Sequence, residues 1–368
     1  MSAGDRGGER AGHRLPIPLT RFVGREEELA TLTGQLRDPA VRLISVTGPG
    51  GVGKTRLVTQ AALSLEPEFA GRIAIIRLDD IAEPRDVLPT IARAIGADDG
   101  QRGPREALAR FLGDDRWLLV LDNIEHLLPA ASDVAGLLQH AAGTTVLVTS
   151  RARLQVAGEH VFPLAPLPVP PADRPMPIDL DRFAATRLFV ARATAADARF
   201  SAAKAEAAIA AICRRLDGLP LAIELAAARA AIMPPAALLK QLDAESSALS
   251  VLRGGPHDAP DRLQSVEAAI AWSYDLLRPI ERAFFRRMSV FVAGFILSWA
   301  AAMIRGHNGG EAYPIDAGVD PRLHWWFHHG RDLGDTSGRR MDAPPLPALA
   351  LDPMDAIQAL LDVSLLQT

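Results

Sequence analysis

The chain has 368 residues, enough for two or three domains with real cores. Its 40 Lys+Arg against 44 Asp+Glu leave a formal net charge of −4, which gives no general case for binding nucleic acid or an anionic membrane. A single cysteine, Cys213, excludes an intrachain disulfide and fits a reducing cytoplasm; in its apolar helical stretch it reads as a small core residue rather than a nucleophile.

Residues 1–14 are polar, Gly-rich and charged, without the apolar core of a signal peptide, and are expected to form a disordered tail. An alternation of strands and helices follows. Apolar runs predict strands over 41–47, 73–78, 117–121, 145–149 and 160–164, and helical apolar spacing falls at 86–95 and 105–112. Short continuous apolar strands between helices predict a parallel sheet covered on both faces, in a nucleotide-binding domain over 15–170. Seven prolines from Pro163 to Pro177 mark a semi-rigid boundary. Beyond it, 171–250 reads as a helical lid domain, interrupted at Gly218-Leu219-Pro220. Residues 264–303 are again helical, with Trp272, Tyr274, Phe284, Phe285, Phe291 and Phe295 as expected core anchors. The uncharged stretch 288–304 is short for a membrane span and is read as buried core. From about 306 to 347 the periodicity is lost and an irregular insertion is expected, with amphipathic order returning at 354–366.

The strongest chemical signal is Gly48-Pro49-Gly50-Gly51-Val52-Gly53-Lys54-Thr55, which fits the phosphate-loop pattern G-x-x-x-x-G-K-[ST] at every fixed position between a strand and a helix. Glycines let backbone N–H groups turn toward phosphate oxygens, and a helix N-terminus adds favourable partial charge. Lys54 would reach the β- and γ-phosphates of ATP, and the Thr55 hydroxyl would hold Mg²⁺. Leu118-Leu119-Val120-Leu121-Asp122 is an apolar strand ending in a carboxylate, and Asp122 would complete the Mg²⁺ site through water. Hydrolysing enzymes often carry a second acid next in line. Here Asn123 follows, and Glu125 is near but off register, so slow or no turnover is expected. Arg151 ends the next strand, where it could sense a γ-phosphate or sit on the surface as a solvated arginine; position alone does not decide. His324, His328 and His329 lack supporting ligands and read as a solvated cluster rather than a metal site.

Together these segments resemble the NB-ARC class of STAND nucleotide switches, above all the bacterial ATPase-containing transcriptional regulators. The resemblance spans about Leu15 to Met303 and rests on five motifs in the family's order. They are Leu15 to Glu26, the phosphate loop, Leu119 to His126, Thr149-Ser150-Arg151, and Arg214 to Ala226 around Gly218-Leu219-Pro220. It implies an α/β P-loop NTPase, an all-α lid and a partial winged-helix domain over 261–368. It also implies that Val23 and Arg25 lie against the adenine, that Gly48, Gly50, Gly51, Val52, Gly53, Lys54, Thr55 and Arg56 line the phosphates, and that Pro220 closes over the base. Arg151 would act with Lys54 and Asp122 at the γ-phosphate. The winged-helix likeness fades after Met303 and the chain stops where the family continues. A counterpart of the family's ADP-reading histidine motif is therefore not expected, and a fragment or degenerate member is one reading.

Three functions follow. The preferred one is a cytoplasmic ATP/ADP switch for signalling or transcription. It would bind Mg²⁺ and adenine nucleotide and engage a protein partner or its own copies in the ATP state, without direct contact to nucleic acid or membrane. The second is an AAA+-like ATPase driving remodelling, and the third an inactive fragment of a larger regulator.

Overall fold

In the computed structural model, the described residues are 15–97, 103–172, 179–203, 205–244, 252–253, 255, 264–288, 300–301, 303–304 and 349–362. They divide into two compact units, within Met1–Gly48 plus Val52–Pro166 and within Pro49–Gly51 plus Leu167–Thr368. The tail at 1–14, the insertion at 306–347 with its histidines, Phe291 and Phe295 lie outside the described residues.

The first unit opens with α1 (Glu26–Arg37), whose first turn carries Glu26, Glu27 and Glu28, favourable beside a helix N-terminus. The elements that follow are β1 (Leu43–Thr47), α2 (Lys54–Phe69), β2 (Ile73–Arg77), α3 (Val87–Ile95) and α4 (Pro104–Leu112). After them come β3 (Trp117–Asp122), α5 (Ala131–Leu138), β4 (Thr144–Ser150) and β5 (Glu159–Pro163). The five strands form one sheet in the order β2-β3-β4-β1-β5. Every pairing is parallel. β3 and β4 are buried along their whole length, as continuous apolar strands covered on both faces should be. β5 mixes exposed and half-buried residues with the buried Phe162 and ends in Pro163, a residue tolerated at a sheet edge because it cannot donate to a further strand.

On one flank the core packs Leu119, Leu121, Val146 and Val148 from the sheet against Ile91 of α3 and Leu137 of α5. α2 lays Leu57, Val58, Ala61, Ala62, Leu65 and Phe69 inward. Each fully buried Leu, Ile, Val or Phe side chain among these contributes about 1.5–3 kcal/mol of transfer free energy. The sheet matters for function because parallel strands put their carboxyl ends on one edge. There β1, β3 and β4 end in Thr47, Asp122 and Ser150.

The second unit is helical among its described residues: α6 (Ala184–Ala196), α7 (Glu206–Arg215), α8 (Pro220–Arg229), α9 (Pro235–Asp243), α10 (Val266–Asp275), α11 (Pro279–Met288) and α12 (Pro353–Asp362). α6 packs on α8, and α7 on α9. Cys213 is fully buried in α7, and desolvation pushes its thiol up to about 12, so it is the inert core residue the sequence predicts. α10 starts at Ser265, whose hydroxyl accepts the Ala268 N–H at 2.9 Å as an N-cap. Leu277, Phe284, Met288, Ala300, Ala356 and Leu360 form a core with Tyr274 and Phe285 packed against it. The expected winged-helix domain falls largely outside the described residues. No helix among the described residues is long and apolar enough to cross a membrane.

A candidate nucleotide site at the strand ends

The loop between β1 and α2 turns on glycines with positive φ: Gly48 at 150°, Gly51 at 77° and Gly53 at 99°. At Gly48 the need is also steric, since a Cβ there would lie 2.6 Å from the Leu164 carbonyl oxygen. Leu164 cannot withdraw freely, because its N–H donates to the Thr47 oxygen at 2.7 Å. Gly53, in the left-handed conformation, is the N-cap residue of α2, so the helix begins at Lys54 with its first N–H groups facing the loop. Lys54 Nζ donates to the Gly48 carbonyl at 2.7 Å, a bond that spans the loop's mouth.

Three hydroxyl and carboxylate groups converge beside it. Asp122 ends β3 and is 1 % exposed. Its Oδ1 accepts the Thr55 hydroxyl at 2.8 Å and the Thr149 hydroxyl at 2.6 Å. Burial pushes the Asp122 carboxyl above the ordinary aspartate range; the two hydroxyl bonds pull it back, and the charges of Asp79 and Glu125 add to the rise. Thr149 also accepts the Asn123 N–H at 2.8 Å, and its carbonyl takes the Ile124 N–H at 3.1 Å. These bonds pin the turn after β3, where Asn123 takes φ 70°, to the end of β4.

The other residues singled out from sequence take distinct places. Val52 is fully buried and packs inward. Arg56 donates to the Thr20 carbonyl and so ties α2 to the N-terminal segment. Arg25 is 6 % exposed and braces the loop. Its guanidinium donates to the carbonyls of Val52 at 3.2 Å and Ala165 at 2.6 Å, and pairs with Glu28 at 2.7 Å. Val23 is half-buried on the same N-terminal segment. Arg151 is held at 3.1 Å by Glu125, with both side chains 3 % exposed, so of the two readings of Arg151 the solvated surface arginine is not the one adopted. Pro220 is the first residue of α8, in the second unit. There Leu221 N–H donates to the Gly51 carbonyl at 3.1 Å and Leu167 N–H to the Gly218 carbonyl at 2.9 Å. Gly218 has φ 67°, and a Cβ on it would sit 2.0 Å from the Leu167 oxygen.

Sequence reasoning passes over the Thr149 hydroxyl and sets Glu125 aside as off register. The signal for Thr149 is a polar residue directly after the apolar run Val146-Leu147-Val148, two positions before Arg151.

A glycine loop opening a helix, a lysine across its mouth, and a threonine bonded to a strand-end aspartate together define a P-loop ATPase site. Residues 21–149 match the AAA ATPase domain, which implies nucleotide binding. The chain is 39% identical over 270 residues, 73% of its length, to "Putative HTH-type transcriptional regulator Rv0890c" of Mycobacterium tuberculosis, and spans only 29% of that protein. It is 34% identical over 305 residues to the uncharacterized protein Rv0894 of the same organism, covering 82% of this chain and 73% of the other. The chain belongs to the family of Rv0894, ATPase-domain proteins akin to bacterial transcriptional regulators, as the motifs lead one to expect. Among solved structures, the STAND protein PH0952 of Pyrococcus horikoshii, which has a tetratricopeptide repeat sensor, aligns with TM-score 0.37 and 15% identity over 75% of this chain and 35% of its own.

Proposed function

We propose that the chain is an ATP/ADP-binding regulatory switch of the STAND/NB-ARC type, with slow or no hydrolysis, acting in signal transduction or transcription. The observation that carries this reading is the Thr55–Asp122–Thr149 set beside Lys54, followed by Asn123 where a water-orienting acid would stand. The donor set is all oxygen, the preference of Mg²⁺, which Thr55 and Asp122 would hold against the β- and γ-phosphates. Bound there, Mg²⁺ would neutralise phosphate charge. The chain's own contributions are the loop N–H groups, the Lys54 ammonium and the exclusion of bulk water by the strand ends. The residue after Asp122 is Asn123, which cannot take a proton from water, and the carboxylate of that turn, Glu125, is engaged by Arg151, which supports occupancy-based signalling over turnover.

In this reading Val23 lies against the adenine and Arg25 supports the loop from behind. A cytoplasmic setting and a protein partner, or self-assembly in the ATP state, belong to the same proposal. The net charge of −4 offers no general attraction to nucleic acid.

The test is the nucleotide content of freshly purified protein, denatured and separated by ion exchange, with Lys54→Ala alongside. Near-stoichiometric ADP in the wild type and none in the variant is the expected result. Equal content in both would overturn the assignment. A steady ATPase rate above about 1 s⁻¹ would move the chain to the remodelling ATPases.

A further inference from the structure

We propose that Glu125 is a positioning residue that sets how strongly the site prefers a nucleoside triphosphate over a diphosphate, by competing with the γ-phosphate for Arg151. The inference rests on the nucleotide reading above and adds to it a residue that the phosphate-loop chemistry does not use.

Arg151 directly follows Ser150, which pairs in the sheet with Thr47, the residue before Gly48. Its backbone therefore leaves β4 beside the start of the phosphate loop. Glu125 reaches the same place from β3. The turn carrying it is fixed by the Asn123 N–H bond to Thr149 and the Ile124 N–H bond to the Thr149 carbonyl. Arg151 Nε donates to Glu125 Oε1 at 3.1 Å, and both side chains are 3 % exposed.

One feature makes this pair an adjustable contact rather than a locked one. Glu125 holds the guanidinium through one oxygen only, its Oε2 being buried without a hydrogen-bond partner. A bidentate arginine–carboxylate fork would satisfy both oxygens and would be harder to replace. A γ-phosphate offers the guanidinium a second anion of the same chemical kind, so Arg151 has to divide its donors between the two. The weaker the carboxylate, the larger the share the phosphate receives. A diphosphate does not extend to this position and gains nothing from the exchange.

The experiment is calorimetric titration of nucleotide-free protein with Mg–ATP and Mg–ADP, for wild type, Glu125→Gln, Glu125→Asp, Arg151→Ala and the Glu125→Gln/Arg151→Ala double variant. Glutamine keeps the size and one acceptor but removes the charge. It should raise the ATP-over-ADP preference about tenfold, within the usual range of coupling between two sites. Aspartate keeps the charge and should return the ratio toward wild type. Arg151→Ala should lower ATP affinity while sparing ADP, and in that background Glu125→Gln should no longer move the ratio. A purely structural ion pair predicts something else: both nucleotides shift together, or the glutamine effect persists without Arg151. Either result overturns the proposal while leaving nucleotide binding intact. Failure of the wild type to bind either nucleotide would instead overturn the nucleotide reading and this inference with it.

Discussion

Replacing Thr149 by valine tests whether its hydroxyl holds the strand ends together. Valine keeps the shape of threonine and removes one oxygen. That oxygen donates to Asp122 at 2.6 Å and accepts the Asn123 N–H at 2.8 Å, in a residue 1 % exposed. A hydrogen bond to a charged group is worth about 1.5–3 kcal/mol, and a buried N–H left without a partner costs about 1–3 kcal/mol. The two losses share one network and do not simply add. The expected cost is therefore about 3–5 kcal/mol. Thr149→Ser keeps both bonds and leaves a methyl-sized gap, at about 1 kcal/mol. Urea unfolding of the two variants, with equal m-values, should separate them by roughly 2–4 kcal/mol. A second readout follows from Asp122. The Thr149 bond is one of the two contacts that pull its carboxyl down against burial, so the valine variant should need a higher pH to bind Mg–ATP. Valine and serine variants within about 1 kcal/mol of each other would refute the reasoning, because the oxygen would then be the cheaper part of the side chain.

Four further outcomes are expected. The Asp122 carboxyl is raised in the fold, so its contribution to stability is complete below the ordinary aspartate pKa of about 3.9 and is lost as pH rises through the raised value; thermal melts of Asp122→Asn from pH 4 to 8 should lack that loss, stand above wild type at neutral pH, and show no gain from added Mg–ATP. Gly48→Ala should lower nucleotide affinity at least about tenfold, or 1.4 kcal/mol, because the new methyl would meet the Leu164 oxygen at 2.6 Å. Gly34→Ala in α1, with nothing within 4 Å, should stabilise the protein by roughly 0.5–1 kcal/mol in the same melts. Gly218→Ala combines a left-handed backbone, worth about 1–2 kcal/mol, with loss of the Leu167 N–H bond, worth about 1 kcal/mol, and should cost the helical unit roughly 2–4 kcal/mol by urea unfolding; a change below about 1 kcal/mol would mean the Leu167 carbonyl moves aside freely.

The phosphate loop is legible from sequence because its requirements are local. The residue spacing, the preceding apolar run and the helix that follows all lie within a short stretch of chain. The five strands are legible for a similar reason, as apolar runs, although their ends shift by a residue or two where ladder bonds stop. The sheet order is not local. The placement of β4 between β1 and β3 is what carries Thr149 to Asp122, across 27 positions. No spacing rule reveals that contact. Arg151 shows the same limit from the other side: its position at a strand end leaves its role open, and only the turn from Asn123 to Glu125 shows what it meets. Some helices are not singled out one by one. α1 opens with three consecutive glutamates before its apolar spacing begins at Leu29, and α9, within the expected helical domain, is entered through Pro234 and Pro235, which look like punctuation although Pro235 is its first residue.

Two carboxylates leave β3 within four residues of each other, and the structure compensates them differently. Asp122 is met by hydroxyls, which are neutral donors; they solvate its charge without cancelling it. Glu125 is met by a guanidinium in a direct ion pair at 3.1 Å. In the proposed reading a divalent cation approaching this edge would be drawn to Asp122, and an anionic phosphate to Lys54 and Arg151. Exchanging the two compensations would reverse that preference: an arginine on Asp122 would repel the cation, and an uncancelled Glu125 would repel the phosphate. In the proposed reading this asymmetry would let one strand end serve metal and phosphate at once. It draws on residues of β4, a threonine in the buried strand and an arginine just past its end, together with Thr55 at the close of the phosphate loop.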